Sequence, residues 1–104
     1  MWDYPKEDES DGRVLGARIP IEKTLEDRGK NYGEFPGVAR ISQNIKNAMQ
    51  QNVGYRELRP IQKEALEMMA NKMGRIINGD PDYADSWHDI GGYAELVVKF
   101  LEKE

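Results

Sequence analysis

With 104 residues, the chain has room for one small domain and not for two. It holds no cysteine and one histidine, His88, which excludes disulfide frameworks, thiolate metal sites, cysteine nucleophiles and any site built on two histidines. The net charge of −4 is carried by residues 1–12, where Asp3, Glu7, Asp8, Glu9 and Asp11 stand against Lys6; residues 13–104 balance at 14 basic and 14 acidic groups.

A neutral body lacks the surplus Lys and Arg on which duplex affinity depends, so general DNA or RNA binding is not expected. No apolar run approaches the ~20 residues needed to span a bilayer, so no membrane partner is expected either. Met1-Trp2-Asp3-Tyr4 has none of the basic-then-apolar character of a secretory leader. The expected setting is cytoplasmic.

In chain order, residues 1–19 read as a flexible acidic tail with Trp2 and Tyr4 as candidate anchors, ahead of one helical domain over 20–104. Pro20 opens a short helix over Ile21–Arg28, and Gly29 is expected to stop it. A glycine-bearing loop through Tyr32 and Phe35 leads to a second helix from Pro36 to about Gln50, with Val38, Ile41, Ile45, Ala48 and Met49 on one face. Pro60 opens the third, Ile61 to about Ile77, closed by Asn78-Gly79, and its apolar stripe runs Ala65, Leu66, Met69, Ala70, Met73, Ile76, Ile77. After the turn at Asp80-Pro81-Asp82, Asp85 reads as the N-cap of the last helix, Ser86 to about Glu102. No strand pattern competes. The expected class is all-α, a small bundle of about four helices.

The last helix is apolar on two sides. Trp87, Ile90, Ala94, Val97, Val98 and Leu101 read as the face turned to its own fold; Tyr93, Leu96 and Phe100 form a stripe on nearly the opposite side. Such a helix is normally buried on both sides, and so short a chain can scarcely cover both. A second copy is the expected cover, giving a homo-oligomer with the Phe100 side toward the partner. Gly91-Gly92 costs helix stability, roughly 1 kcal/mol each, and suits close approach of a neighbour.

Two groups of residues could carry chemistry. Glu64 and Glu67 lie three apart on the third helix, with Asn71 and Arg75 on the same face and Lys72 at its margin; Asp85 and Asp89 lie four apart on the last helix. If all four carboxylates converge they suit Mg²⁺, a hard cation with oxygen ligands. If the two helices run antiparallel, Asp85 and Asp89 instead lie nearer Lys72 and Arg75, which suits a salt-bridged structural site or a phosphate beside a weakly held metal. A plain solvated helix face remains the other reading of Glu64, Glu67 and Arg75. In the second group, Arg28, Tyr32 and Phe35 surround a glycine turn, where a ring and a guanidinium can hold a base and a phosphate. Equally, Tyr32 and Phe35 can be a hydrophobic plug between helices. His88 lacks a nucleophile partner, and no Gly-Lys-Ser/Thr phosphate loop is present.

Glu64-Ala65-Leu66-Glu67-Met68-Met69-Ala70-Asn71-Lys72-Met73-Gly74-Arg75-Ile76 and the stretch Asp85-Ser86-Trp87-His88-Asp89-Ile90-Gly91-Gly92-Tyr93-Ala94, with Arg28, Tyr32-Gly33, Phe35 and Ile41-Ser42-Gln43 upstream, are similar to a family of small phage and prophage proteins. The Lys72–Ile76 and Asp85–Ala94 portions also resemble, more distantly, the MazG-like all-α nucleoside triphosphate pyrophosphohydrolases. That resemblance implies oligomers of helical hairpins, with Mg²⁺ held by an E-x-x-E on one helix and an E-x-x-D on the next. Glu64-x-x-Glu67 matches the first element. In the second, Asp89 matches the aspartate, but Ser86 stands where the glutamate belongs, with Asp85 as substitute.

Three functions follow as expectations. In the first, Glu64, Glu67, Asp85 and Asp89 bind Mg²⁺ for nucleotide hydrolysis, and Lys72 and Arg75 neutralise phosphoryl charge. In the second, Arg28, Tyr32, Phe35, Lys72 and Arg75 capture a phosphorylated nucleotide without turning it over, as a sponge for a nucleotide immune messenger of a bacterial host. In the third, exposed aromatics bind a host protein.

Overall fold

The computed structural model describes residues 21–103; the expected tail over 1–19 lies outside them. Five helices and no strand make up the described chain: α1 Ile21–Tyr32, α2 Phe35–Gln50, α3 Val53–Arg56, α4 Pro60–Asn78 and α5 Ala84–Glu102. The all-α class holds, with one short helix more than expected. In α3, the Asn52 side chain caps the turn by accepting the Gly54 N–H at 2.7 Å. Pro36 and Pro60 lie in the first turns of α2 and α4, where a missing N–H leaves no orphan donor. The Arg59 N–H at the head of α4 is satisfied by Gln62 Oε1 at 2.9 Å.

Gly29 does not stop α1. One glycine weakens a helix by roughly 1 kcal/mol without breaking it, and α1 runs on to Tyr32. The stop is Gly33, at φ +79°, whose N–H bonds the Gly29 carbonyl at 2.8 Å. Asp85 is not the N-cap of α5 either. Tyr83 holds that position, and Asp85 lies in the first turn, where its charge favours the helix dipole.

α4 is the central helix. Its buried Gly74 faces Val38 and Ser42 of α2, while its Lys72 faces Asp89 of α5. Arg59, ahead of α4, lies over the Phe100 ring near the end of α5, 5.1 Å from its centroid. The pairs 59/100 and 72/89 run in opposite directions, so α4 and α5 are antiparallel. Ala65, Ala70 and Ile76 are buried, but Leu66, Met73 and Ile77 are exposed: α4 is gripped by neighbours on two sides and its stripe is split between them and solvent.

The orientation of α5 departs in part from the sequence expectation: Ile90 and Val97 of the expected inner face are half-buried, and Leu96 of the expected outer stripe is exposed. Tyr93 is 5 % exposed and Ser86 3 %, whereas Trp87 is 55 % exposed, with Val98 and Leu101 open as well. Ser86, Asp89, Tyr93 and Phe100 share one side of an ideal helix. That side meets α4 because Lys72 requires Asp89 there. The Trp87 side faces away from the fold.

Candidate ligand-binding site

The junction of α1, α2 and α4 is clamped by two adjacent residues that sequence patterning marked only as a helix stop. Asn78 Nδ2 donates to the carbonyls of Tyr32 and Glu34, each at 3.0 Å. Gly79 packs so closely on Asn31 and Tyr32 that a side chain there would overlap their backbone. The Asp80 N–H then donates to the Asn31 carbonyl at 2.8 Å. Satisfying the last carbonyls of α1 in this way ties its end to the end of α4.

Beside that clamp lies a cavity of about 410 Å³, within the range of small-molecule sites. Arg28 and Tyr32 of α1, Phe35 of α2 and Arg75 of α4 all line it, with Glu34 at its rim. Four of the five residues expected to hold a nucleotide thus come together from three helices. The Arg75 guanidinium lies 4.5 Å from the Tyr32 ring centroid and that of Arg28 5.6 Å. One electron-rich ring therefore gathers two cations. Tyr83 braces the same ring edge-on, centroids 5.9 Å apart. Phe35 is 74 % exposed and is the open ring at the cavity.

Lys72, the fifth residue, does not line the cavity. Its side chain is fully buried, and Nζ lies 2.9 Å from Asp89 Oδ2. Two of the four expected metal ligands are engaged in α4–α5 and α3–α4 contacts: Asp89 by Lys72, and Glu67 by the Tyr55 hydroxyl, which donates to it. That bond and the Glu67 charge hold the Tyr55 hydroxyl above its ordinary pKa, with desolvation adding to the effect. Asp85 accepts from the Tyr83 hydroxyl at 3.0 Å, and Glu64 is exposed. Among the described residues, no three acids or histidines gather into a group that could hold a metal ion. The salt-bridged alternative is the one the Lys72–Asp89 pair follows. As placed, the four carboxylates are not brought together: Glu67 and Asp89 are each engaged by another side chain and Asp85 by Tyr83.

Burial and the hydrogen bond to Asp85 push the Tyr83 hydroxyl up to about 12 from its ordinary 10. The folded chain therefore retains a proton that the unfolded chain releases. Stability should fall as pH rises from about 10 to 12, and Tyr83→Phe should flatten that slope in urea titrations.

No helix among the described residues is long and apolar enough to cross a membrane. No protein-family model, curated protein or solved structure matches the chain.

Proposed function

We propose that the protein binds a phosphorylated nucleotide in the α1–α2–α4 cavity and holds it without turning it over. The observation that carries this reading is the convergence of Arg28 and Arg75 on Tyr32 beside the open Phe35 ring, in one cavity of about 410 Å³. Two guanidinium groups gathered on one ring can together hold a phosphate through charge-assisted hydrogen bonds. Phe35 offers a face for a base, since every base stacks on an aromatic ring. Glu34 disfavours a bare inorganic anion at the rim and favours a ligand that carries N–H donors beside its charge.

By analogy with small helical phage proteins that sequester nucleotide messengers, we propose a host messenger as the ligand, held inside the bacterial cytoplasm. We also propose that the chain self-associates as a homo-oligomer. Supporting this, Trp87, Val98 and Leu101 are exposed along one side of α5, and large contiguous apolar patches are uncommon on monomers.

The test is calorimetric titration with a panel of linear and cyclic nucleotides, with and without Mg²⁺. Arg75→Ala should weaken binding roughly 10- to 150-fold, the worth of a hydrogen bond to a charged group. Phe35→Ala should weaken it by roughly 5- to 150-fold through lost stacking. The bound nucleotide should be recovered intact after heat denaturation. Conversion to monophosphate and pyrophosphate in the presence of Mg²⁺ would replace this reading with the hydrolytic one. No heat of binding across the panel would reject both.

A further inference from the structure

Resting on the proposed self-association, we infer that the outer face of α5 docks antiparallel against the same face of a second copy across a two-fold axis. Trp87, Gly91, Ala94, Val98 and Leu101 recur at alternating spacings of four and three residues. That is the seam spacing of paired helices, in which side chains of one helix insert between those of the other. The seam turns away from the fold: Trp87 is 55 %, Val98 43 % and Leu101 41 % exposed. A side chain added at Gly91 or Gly92 would meet nothing within 4 Å among the described residues. The glycines that weaken α5 therefore serve no close contact inside the described chain.

The order of sizes along the seam suits a second copy. In an antiparallel pair centred on Ala94, Gly91 faces the partner's Val98, and Trp87 faces the partner's Leu101. Ala94 faces its own copy. Small meets large at Gly91, and the smallest side chains let the two backbones approach at the centre. A broad notch of about 640 Å³ lies between the Pro81-Asp82 turn and the Trp87–Gly92 stretch. The Trp87 indole is fixed at its wall by a 2.8 Å bond to the Pro81 carbonyl. The end of the partner's α5, at Leu101 and Glu102, fills that notch.

Charge follows the same two-fold. His88, Glu95 and Glu102 are exposed and seven residues apart, so they form one margin of the seam. The antiparallel register brings His88 against the partner's Glu102 at both ends. Glu95 meets its own copy at the centre, a like-charge contact that Glu95→Gln removes. In a parallel pair this margin would face the partner's opposite margin and not itself, and the two bulky Trp87 side chains would meet at one end of the seam.

The chain has no cysteine, which allows single cysteines to read the register. In light scattering of the full chain, the mass should rise with concentration from 11.9 kDa toward twice that value. Oxidised Ala94→Cys should give a covalent dimer. Leu101→Cys should not, because 14 residues of helix separate the two copies by about 21 Å, beyond the ~7 Å reach of a disulfide. Val98→Glu should raise the dimer dissociation constant at least about tenfold by burying a charge. His88→Glu should weaken the dimer, Glu102→Lys in the same chain should restore it, and Glu95→Gln alone should tighten it.

A monomer at every concentration would overturn both the surface and the self-association, and a shielded Trp87 in that monomer would assign the face to residues 1–20 of the same chain. A dimer indifferent to Val98→Glu, or one cross-linked at Leu101 and not at Ala94, would leave self-association standing and overturn this surface.

Discussion

Asp89→Ala is expected to destabilise the fold by about 3–5 kcal/mol, a large share of the ~5–15 kcal/mol that holds a domain together. The substitution removes a carboxylate 2.9 Å from an ammonium whose side chain has no solvent exposure. Losing that countercharge leaves the buried ammonium less well compensated and favours water entry into the α4–α5 seam or separation of the helices. The pair itself is not expected to add much net stability, because desolvating two charges offsets most of their attraction. Two variants separate these effects. Asp89→Ala should melt far below wild type in urea denaturation followed by circular dichroism. Lys72→Met combined with Asp89→Leu should recover most of the loss. If Asp89→Ala costs under about 1 kcal/mol, the Lys72 ammonium reaches water by another route and the pair does not set the seam. The contact fixes α5 against α4 one turn from Arg75, so it also bears on the cavity.

The helices were legible because their punctuation is local. Pro36 and Pro60 mark starts, and the 3.6-residue period marks what lies between. The facing of α5 was not legible. It carries apolar residues on both sides, and counting them favours the Trp87 side. What decides is the polar content of the other side: Ser86 and Asp89 share an angle with Tyr93 and Phe100, and Asp89 has a buried cation to meet. Periodicity weighs hydrophobicity and is blind to a polar partner on another helix, such as Lys72 for Asp89.

The same blindness divided the candidate site. Lys72 and Arg75 are three apart and read as one basic face, yet about 60° of helix rotation puts Lys72 in the core and Arg75 at the cavity. Arg28, Tyr32 and Phe35 were legible as a group because a ring beside a guanidinium has a chemical use at short range. The four carboxylates were grouped by spacing, and spacing does not record that Tyr55 reaches Glu67 or that Lys72 reaches Asp89. Asn78 was legible as a helix stop, and its clamping role was hidden. Its partners are the carbonyls of residues 46 and 44 positions earlier, and a backbone acceptor leaves no trace in the identity of the residue that carries it.

That hidden clamp gives the second large effect. Gly79→Ala places a methyl group on the backbone of Asn31 and Tyr32, where no side-chain rotation can relieve the overlap. α1 must move away from the end of α4, or the turn into Asp80 must change. Overpacking of this kind costs about 1–3 kcal/mol, and displacement also lengthens the two bonds from Asn78 Nδ2. Because α1 carries Arg28 and Tyr32 while α4 carries Arg75, the damage should concentrate at the cavity. The expected result is a folded, helical protein in which hydrogen exchange quickens along α1 but not along the α4–α5 seam. Nucleotide affinity should fall more than about tenfold, as it does when the groups that bind one ligand lose their mutual placement. Asn78→Ala should shift both readouts the same way and by less, since it removes two hydrogen bonds without adding volume. Unchanged exchange along α1 in Gly79→Ala would show that α1 is held from elsewhere and that the clamp does not shape the site.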